Sequence, residues 1–446
     1  MALTGIQIYK LLPQTNCKEC GFPTCLAFSM KLAAKQVELS LCPHVSDEAK
    51  GQLADAAEPP IRLITLKANG NEVKAGNETV LFRHEKTFYH KPGLFIRVHD
   101  TQTPQDIQAV VSAADTYAVH YVGIALTIDG FAVESDSGDP AKFSAAIAAV
   151  RSASQRPLIL ISRDPAVMAA GLSTVDGETP LIHGADSSNW SAMGDLAKQH
   201  NAPLVVIGNS LDELADLTGK LKEKGINDLV LDPSAHQLGT SLARQTQIRR
   251  LALKKGFRPL GYPIIAFPGP GVDPAMESIR AAQAISKYAG FVVLDHFAPE
   301  TIYPLLVLRE NIFTDPQKPI QVQPGLYEIN DPKPTDPILV TTNFSITYFS
   351  VANEVEGAGL PAWLLIVDAE GMSVLTAWAA GKFDAERIAK AVKQSDLGDR
   401  VERKRIVLPG HVAVLSGELE EELPGWEICV GPREAVNLPA FMKQVL

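Results

Sequence analysis

Four of the chain's five cysteines fall between residues 17 and 42, spaced C-x2-C-x4-C-x16-C, with Pro43 directly after the last. Cubane iron–sulfur clusters are held by four thiolates, commonly three from one tight loop and a fourth from further along. Cys17, Cys20 and Cys25 would be the loop ligands and Cys42 the distal one, with Gly21 and Pro23 letting the backbone wrap closely. Structural zinc is the competing occupant. It usually takes two close cysteine pairs, and this sequence holds one. Cys429 stands alone between Ile428 and Val430 and reads as a buried core thiol. In a chain of 446 residues such crowding fits metal or redox chemistry in a reducing compartment better than a disulfide framework.

The elements that must position these thiolates read as two helices in residues 1–57. Thr24 can cap the second, whose apolar stripe is Leu26, Met30, Ala33, Val37 and Leu41. Cys25 then opens that helix, where the amide dipoles offset an anionic cluster. Residues 58–92 hold short β runs, Ile61–Leu66 and Val80–Phe82, around a turn at Gly70-Asn71, and read as a connector.

From 93 to 312 eight strand-like apolar runs recur: Leu94–Val98, Tyr121–Ile128, Pro157–Ile161, Pro180–His183, Leu204–Ile207, Asp228–Leu231, Pro263–Phe267 and Phe291–Leu294. Helix-like stretches lie between them, which is the count and length of a TIM (β/α)8 barrel, with a doubly wound open sheet as the alternative. Residues 313–337 contain six prolines and read as a linker. Residues 338–446 alternate strand and helix again, as a small Rossmann-like α/β domain. The strands expected there are Ile338–Thr342, Trp363–Val367, Arg405–Val407, Val412–Leu415 and Glu427–Val430. The fold class is thus multidomain α/β.

Composition narrows the function classes. A net charge of -10 offers no basic stripe to displace counterions from nucleic acid. No apolar run reaches the roughly 20 residues that span a bilayer. The start of the chain lacks a basic, apolar leader, so a cytoplasmic location is expected.

The order of a cysteine module, a barrel and a small α/β domain resembles one family, the large (gamma) subunit of the corrinoid iron-sulfur protein of the acetyl-CoA (Wood–Ljungdahl) pathway. The resemblance covers the whole chain. Its most specific stretches are N-C-K-E-C-G-F-P-T-C at 16–25, V-T-T-N-F-S at 340–345 and D-A-E-G-M-S-V-L-T-A-W-A-A-G-K-F at 368–383. It implies a 4Fe-4S cluster, a corrinoid (cobamide) in the C-terminal domain, and a heterodimer with a smaller barrel subunit. The implied activity is methyl carriage, a methyltransferase component's task. Co(I) takes a methyl cation from methyltetrahydrofolate through a separate methyltransferase and passes it to the nickel centre of acetyl-CoA synthase. The cluster rescues Co(II) formed by accidental oxidation.

Many B12 proteins ligate cobalt with the histidine of D-x-H-x-x-G. The nearest string here, Asp232-Pro-Ser-Ala-His236-Gln-Leu-Gly239, has the wrong gap, lies in the barrel, and has no replacement after residue 338. A base-off corrinoid without a protein histidine ligand is therefore expected. Ligands of open α/β folds lie at the carboxyl ends of the strands. Carrying the family's corrinoid loops over to those ends, the resemblance implies contacts from Thr341, Thr342, Ile346, Glu370, Gly371, Met372, Ser373, Thr376 and Arg433, with Thr376 offering a small side chain to the unligated cobalt face. As residues alone, Thr341, Thr342 and Ser373 read equally well as helix caps, and Arg433 as a surface charge.

In the barrel the strand-end positions read as Asp129, Arg163, Asp186, Asn209, Asp232 and Asp295-His296. Such residues are active-site candidates in an unfamiliar barrel, but also ordinary caps and turn formers. The resemblance makes this domain a scaffold, and no pterin site is expected. Two other functions compete: an iron–sulfur electron-transfer subunit without corrinoid, and a pterin-dependent methyltransferase barrel.

Overall fold

The computed structural model describes residues 5–33, 37, 39–46, 49, 59–86, 88–121, 124–314 and 321–445. The chain divides into two compact units, Met1–Tyr117 with Thr127–Phe313, and Ala118–Leu126 with Thr314–Leu446.

In the first unit the leading segment forms helices Gly5–Leu11 and Cys25–Ala33. Thr24 caps the second as expected: its Oγ1 accepts the Ala27 amide at 3.1 Å. The expected apolar stripe is corrected. Leu26, Met30 and Leu41 are exposed, and the buried face carries Cys25, Phe28 and Ser29. Burial around the cysteines, not the widest apolar row, decides which face turns inward. Ala33 and Val37, the remaining members of the stripe, are partly buried against the cysteine cluster.

Eight parallel strands close into a barrel, Gly93–His99, Gly130–Glu134, Leu158–Ile161, Leu181–Ala185, Leu204–Ile207, Leu229–Asp232, Ile264–Ala266 and Ala289–Leu294. Seven match the expected runs to within a few residues. The second does not: Val119–Tyr121 pairs antiparallel with Ile124–Leu126, outside the barrel, and the barrel strand follows at Gly130. Both segments are apolar and short, so periodicity alone cannot say which one pairs into the barrel. Four barrel helices open on a capping side chain followed by proline, at Thr103-Pro104, Asp139-Pro140, Asp164-Pro165 and Asp273-Pro274.

The stretch 58–92, read as a connector, contributes to the barrel's core. Its hairpin, Ile64–Ala68 with Asn71–Ala75, places Ile64, Leu66, Val73 and Ala75 in one cluster with Phe95 and Phe291. It sits at the strands' amino ends: a Cβ added at Gly93 would meet Val73 at 2.9 Å, and one at Gly290 would meet Ala75 at 2.8 Å. Phe95 and Phe291 are fully buried, each stabilising the fold by about 1.5–3 kcal/mol.

The second unit is a five-stranded sheet in the order Gly325–Ile329, Ala362–Val367, Ile338–Thr342, Arg405–Leu408, Glu427–Val430, parallel except for its first edge strand. The edge strand lies inside the stretch expected to be linker; its prolines flank the strand at 324 and 332 without interrupting it. The strand expected at Val412–Leu415 is a 3-10 turn, Gly410–Leu415. Chain order reverses between Ile338–Thr342 and Arg405–Leu408, because the next strand after Ile338–Thr342 pairs on its other side. Such a reversal opens a crevice at the carboxyl ends. No helix among the described residues is long and apolar enough to cross a membrane.

Candidate corrinoid and iron–sulfur sites

At the cysteine module the backbone coils before it enters the helix. Asn16 and Lys18 adopt left-handed conformations, Gly21 follows at φ 80°, and its amide donates to Lys18 O at 2.9 Å. Asn16 Oδ1 accepts the Cys25 amide at 2.8 Å, which ties the loop's start to the helix. Cys25 and Cys42 are buried and Cys20 half-buried, packed in one cluster with Ile8, Phe28 and Val45. Cys17 lies on the exposed turn. It is brought towards the Cys42 segment by Glu19, which hydrogen-bonds His44 at 2.9 Å; the potential ligand atoms of Cys17, Glu19 and His44 lie within 4.8 Å of one another. Four thiols on one small module fit the thiolate donor set that a cubane needs. Cys429 is half-buried, not buried, and burial, aided by Glu427, pushes its thiol above the usual range.

At the switch point of the second unit a cavity of ≈ 740 Å³ opens at the strands' carboxyl ends. That volume lies within the range of small-molecule sites. Its depth is apolar, with Leu339, Val407 and Leu438 on the walls. Its rim mixes polar side chains with exposed apolar ones: Ile346 (65%), Leu375 (47%) and Val436 (65%) are exposed where solvent-facing residues are usually polar. A flat macrocycle wider than the cavity finds an apolar ledge there. Thr341 Oγ1 is buried on this wall without a hydrogen-bond partner among the described residues, and a buried hydroxyl left unpaired costs about 1–3 kcal/mol. The lining fits a corrinoid on both counts.

Of the nine expected contacts, Thr341, Ile346, Ser373 and Arg433 line the cavity. Thr376 reaches it through Ser373, the two hydroxyls lying 3.0 Å apart. Thr342 is buried with its hydroxyl unpaired, on the opposite face of the strand by alternation. Glu370 pairs with Lys382 at 2.6 Å, and Met372 packs into the core on the other side of the sheet. Gly371 is buried at φ 73°, where an added Cβ would stand 2.6 Å from the Gln321 side chain.

Two positions beside the cavity were not among the expected contacts. Asn343, 1% exposed, knots the loop 368–371: its Oδ1 accepts the Ala369 amide at 2.9 Å and the Gly371 amide at 3.0 Å, while Nδ2 donates to Asp368 at 3.1 Å and Gln321 at 3.3 Å. Its place directly after a strand, ahead of an Asp-x-x-Gly loop, was the available signal. His411 follows the strand end Pro409-Gly410 and lines the cavity.

The barrel's carboxyl end is charged and carries several ion pairs, while Arg97 Nε and His183 Nδ1 are buried without a hydrogen-bond partner among the described residues. Arg97 bridges Glu134 and Asp295, both at 2.6 Å, and His183 Nε2 meets Asp232 at 2.9 Å. Glu277 accepts the Asp295 amide and lies 2.8 Å from His296 Nδ1; burial pushes its carboxyl above the usual carboxylate range despite these contacts. Asp186 holds the turn at Ser188, the Asn209 amide donates to Glu213 at 2.8 Å, and Arg163 is exposed, 3.7 Å from Asp186. Asp129 is corrected: it precedes the Gly130 strand, so it sits at the amino end, accepting the Leu94 amide and pairing with Arg309. His236 lies 3.2 Å from the Phe267 carbonyl.

Among solved structures the chain is similar to the dihydropteroate synthases of Thermus thermophilus (15% identity, 55% of this chain, 98% of that one, TM-score 0.38) and Vibrio fischeri (16%, 57%, 100%, 0.38). Likeness at that level extends to neither ligand nor activity. A family model of an Fe-S cluster module matches residues 12–44, and the model for the CO dehydrogenase/acetyl-CoA synthase delta subunit matches residues 63–442. The corrinoid/iron-sulfur protein large subunit of Moorella thermoacetica is 48% identical over 99% of both chains. The acetyl-CoA decarbonylase/synthase complex subunit gamma is 33% identical in Methanopyrus kandleri (99% and 98%) and 34% in Archaeoglobus fulgidus (98% and 97%). With a matching cysteine module, a closed barrel and a C-terminal sheet along its whole length, the chain belongs to the family of corrinoid/iron-sulfur protein large subunits.

Proposed function

We propose that this protein is a methyl carrier. It holds a 4Fe-4S cluster on Cys17, Cys20, Cys25 and Cys42, and a base-off corrinoid, without a histidine ligand, over the C-terminal cavity. The observation that carries this reading is the ≈ 740 Å³ apolar cavity at the sheet's switch point, with an unpaired threonine hydroxyl on its wall. The corrinoid supplies a low-valent cobalt that accepts a methyl cation from methyltetrahydrofolate, through a separate methyltransferase, and yields it to acetyl-CoA synthase. The protein's residues seat and shield that group. Ile346, Leu375 and Val436 would cover apolar surface of the bound group and exclude water from it, and Asn343 fixes the loop that carries Gly371. Thr341 and Ser373 offer hydroxyls, and Thr376 stands beside them on the next helical turn. A cluster held by Cys17, Cys20, Cys25 and Cys42 would supply the one electron needed to restore the low-valent cobalt after accidental oxidation. A smaller barrel subunit completes the working unit, and the cytoplasm is its setting.

The ion pairs that engage charges at the barrel mouth favour a scaffold over a pterin-binding active site. The test is methyl transfer from labelled methyltetrahydrofolate with added methyltransferase. Label should pass to protein-bound corrinoid and then to acetyl-CoA synthase. Iron-loaded protein that takes up corrinoid yet never acquires label would reject methyl carriage.

A further inference from the structure

Of the four cysteines assigned to the cluster, Cys17 alone is exposed; Cys20 is half-buried, and Cys25 and Cys42 are buried. An iron ion arriving from water therefore meets Cys17 first. Two other donors stand beside it. The potential ligand atoms of Cys17, Glu19 and His44 lie within 4.8 Å of one another, and all three residues are exposed. The turn that carries Cys17 and Glu19 is fixed: Asn16 and Lys18 hold left-handed conformations, and the Gly21 amide donates to Lys18 O at 2.9 Å. His44 arrives from the Cys42 segment, and Glu19 Oε2, 2.9 Å from its Nε2, holds the imidazole beside the turn. An exposed pair of this kind adds little to stability, so its place next to the accessible thiol calls for another reason. The other such trio among the described residues, His99, Glu134 and Asp136, is already engaged: Glu134 is 2.6 Å from Arg97, whose fixed positive charge opposes a cation.

We propose that Cys17, Glu19 and His44 form a landing seat for ferrous iron, filled before the cluster is in place. The proposal rests on the cluster reading above and adds two residues to it. A thiolate sulfur, an imidazole nitrogen and a carboxylate oxygen make a mixed donor set that suits Fe2+. Bond lengths of about 2.0–2.3 Å put neighbouring donors of a tetrahedral ion about 3.3–3.8 Å apart, so small side-chain rotations close the trio on the ion. Two anionic donors, the thiolate and the carboxylate, balance its charge, and water fills the remaining position. From this seat the ion passes inward by ligand exchange alone. Cys17 keeps its bond, the thiolates of Cys20, Cys25 and Cys42 replace the imidazole and the carboxylate, and Glu19 and His44 return to their hydrogen bond.

The experiment uses the full chain, stripped of iron and kept reduced without oxygen, and Fe2+ alone, with no sulfide. Affinity for the first ion is read by competition with a coloured ferrous chelator. Loss of an outer-shell partner costs about 10- to 100-fold in metal affinity, so loss of a ligand should cost at least about tenfold. His44→Ala and Glu19→Ala should each weaken the first Fe2+ by at least about that factor, and Cys25→Ser by less than about threefold. Weakening by Cys25→Ser without weakening by His44→Ala overturns the seat, because the ion then goes directly to the thiolates. Equal affinity in the wild type and both surface variants overturns it as well. Purified anaerobically with their clusters, His44→Ala and Glu19→Ala should hold as much iron as the wild type; loss of that iron makes the pair part of the cluster's own support and overturns a landing role. A wild-type chain that binds Fe2+ through the trio yet never holds a cluster leaves the metal seat standing and overturns the cluster reading.

Discussion

Replacing Asn343 with alanine removes one side chain that satisfies two buried amides at once. Ala369 N and Gly371 N both donate to Asn343 Oδ1, at 2.9 and 3.0 Å, and the residue is 1% exposed. A buried donor left without a partner costs about 1–3 kcal/mol, so two such amides place the loss at roughly 2–6 kcal/mol. Water entering the space left behind would bring the value towards the lower end. For a domain of this size the corresponding fall in melting temperature is on the order of 10 °C. Asn343→Asp keeps the acceptor but sets a second carboxylate against Asp368, whose Oδ1 is 3.1 Å from the amide nitrogen it would replace. It should fall between wild type and alanine. Unfolding of the C-terminal unit is followed by Trp363, Trp378 and Trp426 fluorescence, all of which lie there, and corrinoid affinity is measured alongside. If Asn343→Ala unfolds at the wild-type midpoint and binds corrinoid unchanged, the loop is not held as described.

Three further outcomes are expected. Serine at Cys17, Cys20, Cys25 or Cys42 should abolish or strongly reduce bound iron, whereas Cys429→Ser should leave iron content unchanged; iron assay after anaerobic purification decides it. Asp100 is buried, which alone would raise its pKa, yet the Ser137 and Ser135 hydroxyls and the amides of 137 and 136 hold it below the usual 3.8. A depressed folded pKa gives stability that is present above pH 3.8 and lost as pH falls through the folded value, so Asp100→Asn should flatten the acid limb of the stability curve below pH 3.8. Gly371→Ala forces a side chain to φ 73° and against Gln321; about 1–2 kcal/mol of strain should appear as a lower melting temperature of the C-terminal unit.

Much of the fold was legible because its signals are local. Strands such as Leu204–Ile207 are fully buried and read as unbroken apolar runs, and the Asp-Pro openings mark helix starts. What failed were choices between equivalent local patterns. Residues 119–126 and 130–134 are both short and apolar, and only closure of the barrel assigns the second to it. That displacement carried Asp129 to the wrong end of a strand. Leu26 and Met30 share a helical row with the spacing of a buried face, yet the module turns Cys25 and Phe28 inward instead. The edge strand Gly325–Ile329 was hidden by flanking prolines, which an edge tolerates.

The cavity was half legible. Strand ends can be located from sequence, and Thr341, Ser373 and Arg433 follow from them. The positions of His411 and Val436 depend instead on how two loops press together at Gly410, a contact between residues more than twenty apart in the chain. Asn343 was visible as a strand-end polar residue, but its four partners come from loop conformations that no short pattern encodes.

The central claim is that one chain keeps iron on its first cysteines in order to serve cobalt held by its last domain. Quantifying metals in the anaerobically purified protein, with the corrinoid extracted and counted, tests it most directly. About four iron atoms and one cobalt per chain are expected. Zinc in the cysteine module, or iron with no corrinoid even after reconstitution, would contradict it.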